Sequence, residues 1–211
     1  MGSAGSGKGT QADLFVEQFG YHKVEAGAVF RKVAKVDSPL GRKVKEINDA
    51  GKHASDDLMK DLMKDYISSV SKEHALLIDG YPRTVGQKKD LEELLTKNGR
   101  DVNQILAVWI KVDRKEAQRR LLNRAQCTVC RTVFMNRDTK ACPHCGGEVK
   151  PREYDKPEAI KHRLDFFTEK TVPAIKAYQA EDKLLKVNGM QEVAHVFKEI
   201  QKKLEPHLKE K

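Results

Sequence analysis

Hydrophobic and polar positions recur along the chain with two different periods. Short apolar runs that end in turn residues predict strands at 21–24, 74–79, 104–112 and 184–187. Amphipathic spacing predicts helices at 8–19, in two or three segments between 28 and 70, and at 87–95, 114–125, 157–180 and 191–204. Strands that alternate with helices indicate an α/β fold, in which helices cover both faces of a parallel sheet.

One stretch, 127–151, breaks this alternation. It is rich in Cys, Thr, Gly and Pro and holds all four cysteines as two Cys-x-x-Cys pairs, Cys127/Cys130 and Cys142/Cys145. Two such pairs can close a tetrahedral site with no open position, which is typical of structural zinc. The sequence therefore predicts an inserted module held by Zn²⁺. A mononuclear iron or iron–sulfur site and free thiols are the weaker alternatives.

Composition and charge narrow the class of protein. A chain of 211 residues suits one α/β domain with a small insertion. No apolar run approaches the roughly 18 residues of a membrane span, and the first residues lack a secretory apolar region, so we expect a cytoplasmic protein with no membrane partner. The 40 Lys+Arg against 31 Asp+Glu give a net charge of +9. This charge suits nucleic acid, an acidic membrane surface or a substrate with several phosphates.

A glycine-rich loop, GSAGSGKGT at 2–10, precedes the first predicted helix. Glycines let backbone N–H groups turn toward anion oxygens, the helix N-terminus adds its dipole, and Lys8 adds a charge. The loop therefore predicts a phosphate site, although a flexible tag remnant is another interpretation of residues 1–7. A P-loop normally follows a buried strand, and only Met1 precedes this one. We therefore expect the first strand of the sheet to be missing from this sequence.

A second candidate anion site, DGYPRT at 79–84, follows the strand predicted at 74–79. Ligands of α/β proteins bind at the carboxyl ends of the strands. Arg83 is therefore a candidate phosphate clamp, and Asp79 could hold a water molecule of a bound Mg²⁺. A surface arginine after a turn is the alternative interpretation.

These motifs resemble those of the adenylate kinases, of the long-lid, zinc-containing bacterial and archaeal type. The resemblance rests on the loop at 2–11, on DGYPRT at 79–84 with Gln87 three residues on, and on an Arg-rich segment leading into the four-cysteine insert. It covers the chain apart from the first strand. It implies a P-loop NTPase-type core at 1–24, 55–123 and 155–211, a helical insertion that binds the nucleoside monophosphate at 25–54, and a zinc-ribbon lid at 124–154. The implied reaction is the reversible, Mg²⁺-dependent transfer ATP + AMP ⇌ 2 ADP.

The resemblance also implies a role for individual residues. The ATP side comprises Gly5, Ser6, Gly7, Lys8, Gly9, Thr10, Arg120, Arg124, Val133, Phe134 and Gln191. The AMP side comprises Ala26, Arg31, Lys52, His53, Ala54, Gly80, Tyr81, Pro82, Arg83, Gln87, Arg152 and Arg163. The catalytic charges are Lys8, Arg83, Arg124, Arg152 and Arg163, the zinc ligands are the four cysteines, and Asp79 holds Mg²⁺ through water. Phosphoryl transfer depends on positioning and positive charge, and the planar fork of arginine suits phosphate.

Two alternatives stay open, the first because of departures from the family pattern and the second because of the positive charge and the cysteines. Ala26 stands where adenylate kinases usually have Thr, and alanine there is common in the related UMP/CMP kinases, whereas Thr84 and Gln87 follow the adenine pattern. Tyr154 replaces the first Asp of the lid-exit pair and leaves Asp155. A UMP/CMP-type kinase is therefore the first alternative. A basic zinc-ribbon protein that binds nucleic acid is the second, disfavoured by an aromatic content of 6%. We expect a monomer whose partners are nucleotides and not nucleic acid.

Overall fold

The computed structural model describes residues 1–49, 53–152 and 155–208. The predicted site residue Lys52 and the substituted position Tyr154 lie outside these ranges. The helices are α1 Lys8–Phe19, α2 Ala26–Val33, α3 Pro39–Asp49, α4 Asp56–Ser68, α5 Val85–Lys97, α6 Arg114–Asn123, α7 Pro157–Phe166, α8 Val172–Ala180 and α9 Val193–Leu208. The strands are β1 His22–Glu25, β2 Leu76–Asp79, β3 Ala107–Lys111, β4 Ala125–Cys127, β5 Val133–Phe134, β6 Val149–Pro151 and β7 Leu184–Asn188. The α/β class predicted from the pattern is confirmed.

Helix boundaries follow local chemistry. Thr84 caps α5, because its hydroxyl accepts the Gln87 N–H at 3.0 Å, so the helix begins before the predicted residue 87. The predicted helix at 157–180 is two helices, α7 and α8, joined by a π-helical turn at Phe167–Thr171. Pro173 has no N–H to donate to the residue four positions earlier, which interrupts the regular ladder there.

The predicted parallel sheet divides into two parallel pairs. β1 pairs with β2, with His22 opposite Leu76, and β3 pairs with β7, with Ala107 opposite Leu184. Among the described residues no strand joins β2 to β3. Met1 instead bonds to β3 as a strand residue would: its amino group donates to the carbonyl of residue 108, and its own carbonyl accepts the N–H of residue 110 at 3.0 Å. All four residues of β2 are only half-buried, which agrees with an edge left unpaired.

Both pairs of strands still share one core. Ile110 of β3 and Val187 of β7 pack with Phe15 of α1 and with α9, and Leu77 of β2 joins the same cluster. On the other face, Val24 and Ile78 pack against residues of α4 and α5, while α8 packs on β3 and β7. Helices therefore cover both faces, and the loop ahead of α1 lies at the carboxyl ends of the strands.

Two smaller units lie beside this core. Helices α2 and α3 pack with α4 through a cluster centred on Val29, Val44 and Leu62. Strands β5, β4 and β6 form an antiparallel sheet whose small core includes Cys127 and Cys142. In the described part of the chain, every helix is too short or too polar to cross a membrane.

Candidate active site

The glycine-rich loop has the backbone conformation that its sequence predicts. Gly5 and Gly7 have φ angles of 82° and 89°, in the region that favours glycine. A Cβ on Gly5 would lie 2.7 Å from the carbonyl oxygen of Ala117, so a larger residue would displace the loop from α6. No side chain caps α1, which leaves its first N–H groups free for an anion.

Lys8 lies across this loop. Its Nζ donates to the carbonyl oxygen of Ser3 at 2.8 Å. Loss of hydration lowers the pKa of Lys8 to about 8; the carboxylate of Asp79 opposes this, while the charges of Arg83 and Arg163 add to it. A bound phosphate would pair with the Lys8 ammonium and stabilise its positive charge.

The loop also contains polar groups without partners. The hydroxyl groups of Ser3 and Ser6 are buried and have no hydrogen-bond partner among the described residues. Buried hydroxyl groups are almost always hydrogen-bonded in folded proteins. With the free N–H groups of α1, they form a set of donors suited to phosphate oxygens.

The second motif places Arg83 beside the loop. Gly80 has a φ of 83°, and its carbonyl oxygen accepts the Arg83 Nε at 2.7 Å. Burial lowers the pKa of Arg83, against the opposing charge of Asp79. Tyr81 is 3% exposed and is joined to Pro82 by a cis peptide bond. The motif thus holds a guanidinium at the end of β2, as the sequence predicts.

Other residues predicted on the acceptor side lie on α2 and just before α4. Ala26 is buried, and the neighbouring Arg31 forms an ion pair with Glu25 at 2.8 Å. The ring of His53 stacks on that of Phe166, with centroids 3.7 Å apart. Burial and the charge of Arg83 lower the pKa of His53 to about 3, so the imidazole is neutral. Ala54 packs against the cluster of α2 to α4.

Three arginines meet where the cysteine module joins the core. Arg124 donates to both oxygens of Asp155 at 2.8 Å, and Arg163 donates to one of them at 2.8 Å. Burial opposes ionisation of Asp155, but the hydrogen bonds and charges of the two arginines outweigh it and lower its pKa. Arg152 donates to the side chain of Gln126 at 2.8 Å, and burial lowers its pKa to about 10.

Sequence reasoning missed the partners of these cations. Asp155, Gln126 and Glu25 each accept from an arginine that the sequence places at the phosphates. Asp155 follows Arg152 in the sequence, which was a usable signal for an acceptor near the arginines. Gln126 carried no such signal, because it meets Arg152 only through the pairing of β4 with β6.

The residues predicted on the ATP side outside the loop lie on separate elements, with Arg120 predicted to enter the lid and Gln191, Val133 and Phe134 predicted at the base. Arg120 donates to Glu116 at 2.7 Å and to the carbonyl oxygen of Gly189 at 3.0 Å. Gln191 is exposed and donates to Glu199 at 2.7 Å. Val133 and Phe134 lie on β5; Val133 is exposed, and Phe134 packs on the core of the cysteine module.

The four cysteines form one compact cluster. Their Sγ atoms all lie within 4.8 Å of one another, and the pairs Cys127/Cys145 and Cys130/Cys142 are 3.5 Å apart. Zinc–sulfur bonds of about 2.3 Å in a tetrahedron place the sulfurs about 3.8 Å apart. No disulfide links them. The donor set and its spacing therefore fit a four-coordinate zinc ion.

Comparisons with known proteins agree with this geometry. The sequence model of the family described as adenylate kinase matches residues 1–183. The chain belongs to the adenylate kinase family. It is similar to the adenylate kinases of Thermosipho africanus, 35% identical over 95% of both chains, and of Bacillus velezensis, 32% identical over 97% of this chain and 95% of the relative. That of Bacillus subtilis is 33% identical over 95% of this chain and 94% of its own.

Family membership accounts for the phosphate-directed features of the core. It makes the chain a nucleoside monophosphate kinase, as the sequence predicts. The match over residues 1–183 includes the cysteine module. The roles of individual residues rest on the geometry described above.

Proposed function

We propose that this chain catalyses ATP + AMP ⇌ 2 ADP. The observation that carries the proposal is the convergence of cations on one glycine-rich loop. Loss of hydration is the main cause of the lowered pKa of Lys8, and the charges of Arg83, Arg163 and Arg124 lower it further. Burial is likewise the main cause of the lowered pKa of Arg152, and the charge of Arg124 adds to it. Charges that influence one another in this way lie close together, and two phosphate chains would neutralise them.

This arrangement suits phosphoryl transfer between two nucleotides. The acceptor phosphate is already an ionised nucleophile, so no side chain need remove a proton. The protein's task is to align the two phosphate chains and to stabilise charge on the transferred group. We assign Lys8 to the transferred group, Arg83 to the acceptor phosphate, and Arg124, Arg152 and Arg163 to both chains across the gap.

The position of Asp79 supports a Mg²⁺ site beside the loop. Its carboxylate ends β2 and faces α1, with Oδ2 3.7 Å from where a Cβ of Gly9 would lie. An oxygen ligand next to the phosphate loop is the donor type that Mg²⁺ takes in phosphate sites, usually through water. When bound, Mg²⁺ neutralises charge on the donor phosphates. Lys8 and the loop N–H groups would orient those phosphates.

We infer that residues 124–154 form a lid and residues 25–54 an acceptor-binding insertion. The small core of the cysteine module, built around Ala125 and Val149, is supported by the cysteine cluster. Zinc on Cys127, Cys130, Cys142 and Cys145 would hold this module as a rigid unit. Closure of such a unit would carry Arg124 and Arg152 onto the phosphates and exclude water.

Adenine is the acceptor base that the site favours. Gln87 is 3% exposed and stands at the N-terminal turn of α5, three residues after the Thr84 cap. Ala26, buried beside Gly80, is the one feature that points to a pyrimidine acceptor. A pyrimidine monophosphate is therefore the competing substrate to be tested.

The direct test is ADP formation from ATP and AMP with Mg²⁺, followed in a coupled assay. We expect turnover that requires all three components, and its loss in Lys8→Met. A salt-sensitive gel shift with DNA or RNA, in protein that does not turn over AMP, would contradict the proposal and favour the nucleic-acid alternative.

A further inference from the structure

Gln87 is held in one orientation by contacts at both ends of its amide. Its Oε1 accepts the backbone N–H of Arg83 at 2.7 Å, and its Nε2 donates to Oδ1 of Asp56 at 2.9 Å. A backbone N–H only donates, and an ionised carboxylate only accepts. The carbonyl end of the amide must therefore face Arg83, and the NH₂ end must face Asp56.

Asp56 is itself fixed on two sides. It is the first residue of α4, where the helix dipole favours a negative charge. Its second oxygen, Oδ2, accepts the hydroxyl proton of Thr84 at 2.7 Å. A Cβ on Gly86 would lie 2.6 Å from the same oxygen, so glycine there allows this close approach. The carboxylate thus ties the start of α4 to the start of α5.

The fixed amide keeps one free donor and one free acceptor. An amide offers two N–H donors and two carbonyl lone pairs, and one of each is used by Asp56 and Arg83. The remaining pair suits adenine, which presents an acceptor at N1 beside a donor at N6. A 6-oxopurine presents the reverse pattern, a donor at N1 beside an acceptor at O6. Gln87 would have to turn its amide over to bind it, which would place its carbonyl oxygen against the carboxylate of Asp56.

We propose that Asp56 is a positioning residue that makes Gln87 select adenine over 6-oxopurines. The proposal rests on the proposed function, since it assumes that Gln87 faces the acceptor base. Asp56 acts only through the amide of Gln87 and touches no substrate. Its replacement by asparagine, which can donate or accept, would remove the constraint at the NH₂ end and leave the backbone N–H of Arg83 alone to orient the amide.

The test measures the affinity of the protein for AMP and for IMP by calorimetry, without ATP, in the parent and in Asp56→Asn. We expect the parent to prefer AMP and the variant to lose about tenfold or more of that preference, through weaker AMP binding, stronger IMP binding or both. Asp57→Asn is the matched control, because Asp57 is the exposed neighbour on the same helix turn, and it should leave the preference unchanged.

The outcomes separate this proposal from the reaction itself. An equal loss of affinity for both nucleotides in Asp56→Asn would mean that Asp56 is merely structural and would overturn the inference. A melting curve of the variant identifies any such general destabilisation. Asp56→Glu keeps the carboxylate and should retain more of the preference for AMP than Asp56→Asn. Absence of ADP formation in the parent, with this binding pattern intact, would contradict the kinase reaction alone.

Discussion

The cations of the core and those at the base of the cysteine module are held in different ways. Lys8 and Arg83 donate to main-chain carbonyl oxygens, those of Ser3 and Gly80. Arg124 and Arg163 share the carboxylate of Asp155. A carbonyl orients a cation but leaves its charge in place, whereas a carboxylate neutralises it. Lys8 and Arg83 lie near the carboxylate of Asp79 without forming an ion pair with it. The arginines at the module's base would have to exchange Asp155 for phosphate.

Replacement of Lys8 tests the core half of this comparison and should have the largest effect. Lys8→Met removes the charge over the loop, and we expect kcat to fall about 10²–10³-fold, because the lost interaction is with the transferred group. Initial rates of ADP formation measure this. Lys198→Met, at an exposed position on α9, is the control and should keep full activity. Activity within twofold of the parent would refute the assignment of Lys8.

Replacement of Asp155 tests the other half of the comparison, the arginines at the base of the cysteine module. Its side chain is fully buried, and Asp155→Asn leaves two guanidinium groups close together without their carboxylate. We expect a loss of about 3 kcal/mol in the free energy of unfolding, measured with urea. Because the pKa of Asp155 is lowered on folding, its contribution is complete above the carboxyl's ordinary pKa and is lost as the pH falls through the folded value. The difference between parent and variant should therefore shrink in acid.

The control for Asp155 is another aspartate paired with an arginine. Asp165 pairs with Arg114 at 2.6 Å, but both side chains are about half exposed, at 40% and 48%. Asp165→Asn should change stability little, since exposed ion pairs contribute little. Equal effects of the two replacements would remove the distinction between a buried and a solvated arginine contact.

Zinc removal tests what holds the cysteine module together, on the other side of the comparison from the core. Cys142→Ser deletes a buried ligand, and we expect the module to lose about 2 kcal/mol or more of stability, with a fall in turnover and no loss of a catalytic group. Metal analysis and calorimetric melting measure this. His144→Ala, at an exposed position between Cys142 and Cys145, should retain zinc and stability. Iron as the dominant metal, or full stability in Cys142→Ser, would contradict the structural zinc site.

The smallest expected effect is a change of kcat/KM with pH that follows the titration of Lys8. The pKa of Lys8 is about 8, so the free enzyme loses this charge as the pH rises above that value. We expect kcat/KM for ATP to fall on the alkaline side of about pH 8. In Lys8→Arg the fall should move to higher pH, because arginine stays charged. An unchanged alkaline limb in Lys8→Arg would assign that titration to another group.

The sequence predicts most of what local chemistry decides. The glycines at 5 and 7 allow the left-handed backbone that the loop adopts there. The two Cys-x-x-Cys pairs, each local in sequence, form the single cluster that their spacing predicts. Outside the cysteine module, the order of strands and helices follows from periodicity, apart from the division of the helix predicted at 157–180.

Contacts between distant segments account for what the sequence did not predict. Asp56 and Gln87 are 31 positions apart, as are Arg124 and Asp155, and no local pattern pairs them. The division of the sheet into two pairs depends on which strands pair with each other. The hydrogen bond between Met1 and β3 is one such long-range contact. Periodicity indicates which residues form strands but does not specify which strands pair.

The central claim is that this cluster of cations transfers a phosphoryl group from ATP to AMP. Its most direct test is an acceptor panel, in which initial rates of ADP formation are measured with ATP, Mg²⁺ and either AMP, CMP or UMP. We predict that kcat/KM is highest for AMP, because the Gln87 amide, held by Arg83 and Asp56, is proposed to face the edge of adenine. A higher value for CMP or UMP would contradict the account.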